Sequence, residues 1–216
     1  MNDIQTGQKA GQQTGQQTGK PKRDWITYAL YGLSLVGVAA VLYVIVGAVG
    51  KPKPQTDLRS LAHGEMAKLA IVDTGPLAPS TPFLDAQGKQ VRIADLKAPV
   101  VIVNLWATWC APCRQEMPTL AKLQAAYPGQ VLVVPVAEDR AEDRDKARDF
   151  IGQYGPLPFY QDAKLAMTFA LSPPAEGLPT TVIYDRTGHE RARLAGGADW
   201  NSPEARAVVE ALLRGA

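Results

Sequence analysis

Cysteine and histidine are both scarce: of 216 residues, two are cysteine and two are histidine. Two thiols exclude a disulfide-rich scaffold, and they exclude a four-thiolate zinc or iron–sulfur site within one chain. His63 and His189 are too few for a histidine-rich metal site. An excess of one charge is also missing. Lys and Arg number 23 against 21 Asp and Glu, a net charge of +2, so the chain lacks the basic surface of a nucleic-acid binder. What is present is ordinary for a globular protein: 46% hydrophobic and 20% charged residues. The length allows one core of comfortable size plus an appendage.

The composition changes along the chain. Residues 1–24 form a polar tail that reads GQQTGQQTG from Gly11 to Gly19, and with no apolar face to bury the tail is expected to be disordered. From Trp25 to Gly50 there are 26 consecutive residues without a charge, where about 20 apolar residues suffice to cross a bilayer. Trp25, Tyr28 and Tyr43 suit the membrane interfaces, and Arg23 and Lys51 close the run. A cleavable signal peptide has a shorter apolar run nearer the start. Residues 25–50 are therefore expected to be one uncleaved transmembrane helix. Its orientation stays open, because four basic residues precede it (Lys9, Lys20, Lys22, Arg23) and four follow within 20 residues (Lys51, Lys53, Arg59, Lys68). Residues 51–79, with KPKP and a mildly helical stretch from Asp57 to Leu69, read as a tether with one short helix.

Residues 80–216 carry the regular pattern. Phe83–Asp85 and Val91–Ile93 flank the turn-like AQGK. Val100–Leu105 is almost continuously apolar and β-branched, which predicts a strand buried on both faces. The spacing of Met117, Leu120, Leu123 and Tyr127 predicts a helix over 110–127 with one buried stripe. Val131–Ala137 is a second buried strand, in which Pro135 belongs at a bulge or near the strand end. A helix over 141–154 buries Ala147, Phe150, Ile151 and Tyr154, and a short one covers 164–171 before SPPAEG interrupts the chain. Thr180–Tyr184 and Glu190–Ala195 form a hairpin about the 185–188 turn. Ser202-Pro203-Glu204 starts a terminal helix with Ala205, Val208, Val209, Leu212 and Leu213 on its buried face. The order predicts a three-layer α/β domain with a central mixed sheet.

The chemistry sits at Trp109-Cys110-Ala111-Pro112-Cys113, where a buried strand hands over to a helix. Two cysteines at this spacing come within disulfide range. Cys110 is at the helix N-terminus, where free amides and the helix dipole favour a thiolate, and Cys113, one turn on, is expected to be more buried. A zinc site would need two more ligands from His63 and His189 at irregular spacing. An inert structural disulfide here would close a trivial loop. C-x-x-C beside a βαβ pattern favours redox exchange over both.

VNLWATWCAPCRQEMPTL, residues 103–120, resembles the active-site block of the membrane-anchored, thioredoxin-like TlpA family, and LPTT at 178–181 and GGADWNSPEARAVVEALL near the end fit it too. The resemblance spans about 80–216 and implies a thioredoxin-like fold. It also implies roles: Cys110 the attacking nucleophile, Cys113 the resolving thiol, Pro179 a cis-proline opposite the sulfurs, and Leu178 a source of backbone atoms for a partner. Trp109, Ala111 and Pro112 belong to the same substrate-binding face. Glu116 matches the acid of the family's WCxPCxxE pattern and carries the exchange proton, or else it is a solvent-exposed helix acid. Trp106 walls the site or belongs to the core. Pro118 removes the amide due to bond the Arg114 carbonyl, so a kink is expected. SPPAEG is a departure that would reshape the partner-binding edge, and no second cysteine pair is present.

The function implied is a periplasmic thiol:disulfide oxidoreductase, single-pass in the bacterial inner membrane. It would reduce cysteine pairs in protein clients of cytochrome c or cytochrome oxidase copper-site assembly. No flavin, nucleotide or metal is implied, because the Cys110–Cys113 pair is itself the redox centre. Electrons would come from another dithiol protein in the membrane. Two other classes stand beside it: an oxidant that donates disulfides, and a dithiol scaffold for Cu(I).

Overall fold

The computed structural model describes residues 25–49 and 57–215, which fall into two units divided between Lys53 and Pro54. The first unit holds one helix, α1 (Trp25–Val49). Side chains are described for 28–44, where all are exposed, including Leu30, Leu33, Leu35, Val41 and Leu42. Among the described residues no helix is long and apolar enough to cross a membrane, the described side chains falling short of the ~20 that a crossing takes. The polar tail 1–24 and the KPKP stretch lie outside the described residues.

The second unit is built on an eight-stranded mixed sheet. In chain order its elements are α2 (Leu58–Leu61), β1 (Ala70–Ile71), β2 (Phe83–Asp85), β3 (Gln90–Val91), β4 (Val100–Trp106), α3 (Ala111–Ala126), β5 (Val131–Ala137), α4 (Arg144–Ile151), β6 (Tyr160–Gln161), α5 (Ala166–Ala170), β7 (Thr180–Tyr184), β8 (Glu190–Ala195) and α6 (Pro203–Arg214). The strands lie in the order β1-β8-β7-β4-β5-β6-β2-β3. β4 is parallel to β5 and antiparallel to β7, so it is central. Alternate residues of β4 serve two cores. Val100, Ile102 and Trp106 join a cluster with Met117, Leu120 and Leu123 of α3 and Val208, Val209 and Leu212 of α6. Val101, Val103 and Leu105 join another with Phe83, Met167 and Tyr184. A strand buried on both faces has to be apolar throughout, and β4 is so except at Asn104.

The thioredoxin-like mixed sheet matches the expectation, with local differences. The helix expected over 141–154 is a 3₁₀ turn, Ala141–Asp143, followed by α4, which ends at Ile151 because Gly152 and the GPLP that follows do not sustain it. Pro135 is tolerated one residue before β5 begins to pair with β6. The larger correction concerns the tether, whose expected span of 51–79 gives way to packed structure from residue 57 onward. Leu58, Met66 and Leu69 are buried in the α3–α6 core, Asp57 caps α2, and β1 extends the sheet by pairing with β8. The short helix expected within 57–69 is α2, and with the 3₁₀ turn Gly64–Lys68 it packs on the core that holds α6.

Met66 measures this directly. It is fully buried, so Met66→Ala should lower unfolding free energy by about 2–5 kcal/mol, read by urea denaturation of the detergent-solubilised protein. A change below about 0.5 kcal/mol, the size of an ordinary surface effect, would return the segment to a tether.

Candidate active site

β4 ends at Trp106, and the chain turns once before α3 begins, which places the two cysteines at the end of the central strand. The turn is held by a buried carboxylate. Asp139, just past β5, accepts from the Thr108 amide at 3.1 and 3.0 Å and from the Thr108 hydroxyl at 2.6 Å. Cys110 is the N-cap of α3, and its Sγ accepts from the Cys113 amide at 3.3 Å. The sulfur thus takes one of the donors that a helix start leaves free. Cys110 and Cys113 are joined as a disulfide, with Cα atoms 5.3 Å apart. Cys113 is fully buried and Cys110 is 6% exposed, so Cys110 is the sulfur nearer to solvent. Trp109 stands out beside it at 70% exposure, and Ala111 and Pro112 are exposed too. Trp106, by contrast, is core, packed on Phe150 with ring centroids 5.4 Å apart.

β7 and β8 complete the site. β7 runs antiparallel to β4, so its start lies where β4 ends. Pro179 immediately precedes it, buried, and the Leu178–Pro179 bond is cis. The turn after β8 returns to the same place. The Gly196 amide donates to the Pro179 carbonyl at 2.8 Å, and a Cβ on Gly197 would lie 3.4 Å from Pro112 Cβ. Gly196 has φ +101°, a conformation that glycine adopts without cost. Pro179, the 196–198 turn and the Cys-Ala-Pro-Cys segment therefore meet at one end of the sheet. Leu178, partly buried, packs against both cores. The SPPAEG stretch is tied down by Arg193 of β8, which donates to the carbonyls of Ser172 and Pro173.

Glu116 lies one turn past Cys113, and it is 3% exposed, which removes the reading of a solvent-exposed acid. Asn104 Nδ2 donates to its Oε1 at 2.7 Å. Trp200 Nε1 and the Ala198 amide donate to its Oε2 at 3.0 and 3.2 Å. Burial raises the carboxyl from 4.5 to about 7, and these three hydrogen bonds hold it from rising further. A group poised there can release or take a proton near neutral pH. A second acid, Glu138, is also raised to about 7, by burial first and by Asp162 in addition, while it accepts from the Thr168 hydroxyl.

Asn104, Thr181, Trp200, Glu138 and Asp139 escaped the sequence reading. Asn104 had a signal, as the single polar residue in VVIVNLW, and Trp200 lay inside a block already noted for its resemblance. The acids after β5 carried none, because ED reads as a solvated loop. Among the described residues no cluster of His, Cys, Asp and Glu could hold a metal ion.

Comparison with known proteins points to the same place. The Redoxin family model matches residues 73–212. Thiol-disulfide oxidoreductase ResA of Bacillus thuringiensis (strain Al Hakam) is 30% identical over 159 residues, covering 72% of this chain and 84% of the relative. Thioredoxin-like protein YneN of Bacillus subtilis (strain 168) is 33% identical over 127 residues, 54% of this chain and 68% of the relative. Among solved structures, a thiol:disulfide interchange protein DsbE from Chlorobium tepidum superposes with a TM-score of 0.57 at 28% identity, covering 66% of this chain and 99% of that one.

The raised Glu116 carboxyl makes stability depend on pH. It holds its proton to about pH 7 in the fold, against 4.5 ordinarily, so its contribution is complete below pH 4.5 and is lost as pH rises through 7. Between those limits the oxidised protein should lose on the order of 3 kcal/mol more than Glu116→Gln does, read from urea midpoints across pH. Parallel profiles for the two proteins would place the carboxyl at its ordinary value.

Proposed function

Because this chain belongs to the Redoxin family and is a thiol-disulfide oxidoreductase, we propose that it is a membrane-anchored reductase of cysteine pairs in proteins on the periplasmic side of the bacterial inner membrane. Its clients on this reading are partners in cytochrome c maturation or in assembly of the cytochrome oxidase copper site. The observation that carries the reading is the arrangement of the pair at the start of α3: an outer sulfur that caps the helix and an inner one that is fully buried. The 26-residue uncharged run from Trp25 to Gly50 supports the anchor.

The exchange proceeds from the reduced form. The Cys110 thiolate attacks one sulfur of a client disulfide. A Cys110–client S–S bond forms, the client's own S–S bond breaks, and the released client thiolate takes up a proton. Cys113 then gives up its proton, with Glu116, one turn further along α3, as the base on this reading, and attacks Cys110 Sγ. The mixed disulfide breaks, the second client thiol leaves protonated, and the Cys110–Cys113 bond remains. Two electrons have passed to the client. The disulfide in the structure corresponds to this spent state, which a dithiol protein in the membrane would reduce again. On this reading Trp109, Ala111, Pro112 and Leu178 present the surface a client strand meets, and Pro179 lies at the same end of the sheet as the cysteines. No flavin, nucleotide or metal enters, since the thiol pair carries both electrons.

Two measurements on the full-length protein in detergent test this. Cys110→Ser should abolish exchange, whereas Cys113→Ser should accumulate mixed disulfides that a Cys110→Ser/Cys113→Ser double variant does not form. Equal trapping by both would overturn the assigned order of attack. Titrated against glutathione, the pair should equilibrate near about −270 mV, as in thioredoxin. A value near about −120 mV, as in DsbA, would make the protein a disulfide donor.

A further inference from the structure

The two oxygens of Glu116 keep unlike company. Oε2 already accepts two N–H donors, from Trp200 Nε1 and the Ala198 amide. Oε1 faces the side-chain amide of Asn104, whose Nδ2 donates to it at 2.7 Å and to Thr181 Oγ1 at 2.9 Å. The other end of that amide, Asn104 Oδ1, is buried without a hydrogen-bond partner. A buried carbonyl left without a donor is costly to the fold.

A proton arriving on Oε2 would convert that oxygen to a hydroxyl while two donors still point at it. A proton on Oε1 would meet only the Asn104 amide, and there it would oppose an N–H. Turning the amide through half a revolution about Cβ–Cγ exchanges its ends, which are nearly equal in size. Oδ1 then accepts from the new Oε1–H. Thr181 lies directly across the β4–β7 ladder from Asn104, and its hydroxyl switches from accepting to donating, as a hydroxyl can. The ionised acid thus uses the donor end of Asn104, and the neutral acid uses the acceptor end.

We propose that Asn104 is a positioning residue that directs the exchangeable proton of Glu116 to Oε1 and follows its arrival and departure by reversing its side-chain amide. The step is a proton transfer only: the O–H bond forms or breaks at Oε1, and no electrons move. Every element packed against the carboxyl supplies a neutral partner: Asn104 from β4, the Ala198 amide and the Trp200 indole from the turn before α6, and Thr181 of β7 through Asn104. Its own helix carries Arg114 and Lys122, both exposed, and Cys113, bound as disulfide, and the turn before α6 carries Asp199, also exposed. With no charge facing the site, exchange of donor for acceptor is the response available. This inference rests on the reading of Glu116 as the exchange acid, but its test reads the proton itself rather than turnover.

The test is NMR of the full-length oxidised protein in detergent micelles, following the Asn104 side-chain amide and the Trp200 indole from pH 5 to pH 9. Both Asn104 N–H signals should move with one midpoint, at about 7 where Glu116 titrates, and should lose that titration in Glu116→Gln. The Trp200 indole should stay hydrogen-bonded throughout. Titration of the indole with Asn104 unmoved would put the proton on Oε2 and overturn the inference. A second variant gives an independent reading. Asn104→Asp keeps the shape and an acceptor but loses the donor, so the Glu116 midpoint, followed by the carboxyl carbon, should rise by at least about one pH unit. An unchanged midpoint would also overturn it. Either result stands whether the protein proves to be a reductant or an oxidant, because the potential of the cysteine pair is measured separately.

Discussion

The buried carboxyl of Glu116 ties the active-site helix to the rest of the domain. Through three hydrogen bonds it joins α3 to β4 at Asn104 and to the turn before α6 at Ala198 and Trp200. Asn104 carries the connection on to β7 at Thr181. A second link lies beside it, with the Trp200 amide bonding to Thr119 Oγ1. A carboxyl removed from water must find donors or give up its charge. Here both happen in part: the donors are present, and the acid is still raised to about neutrality. The group that seats α3 on the sheet is therefore also the one able to exchange a proton beside the inner cysteine.

The topology explains why the site assembles where it does. β4 runs out toward the cysteines, β5 runs parallel to it, and β7 runs back. The end of β4, the end of β5 and the start of β7 must then share one edge of the sheet. That edge receives Thr108 and Cys110 from the first, Glu138 and Asp139 from the second, and Pro179 from the third. The β7–β8 hairpin returns the chain to the same edge, where the Gly196 amide meets the Pro179 carbonyl. Distant sequence positions become neighbours because strands laid side by side align their ends.

The outward surface carries two large aromatic side chains. Trp109 is exposed beside Cys110, and Phe169 of α5 is equally exposed. The proline-rich 172–177 stretch is pinned to β8 by Arg193, itself paired with Glu190 at 2.7 Å with both side chains largely buried.

Much of the molecule was legible from residue order alone. β5, β7 and β8 have the limits that alternation and β-branching imply, and α6 starts at its Ser-Pro-Glu signal. The C-x-x-C pair at a strand–helix junction announced its chemistry because a helix start stabilises a thiolate whatever the surrounding fold. These are local properties, set by side-chain periodicity, capping and spacing. What only the tertiary structure decided involves groups that meet across the sheet. The depth of Glu116, the donors around it, the clamp of Asp139 on Thr108 and the packing of 57–71 onto the domain depend on which strands are neighbours. Sequence spacing conveys which face a residue occupies, but burial and pKa follow from what the fold brings against that face.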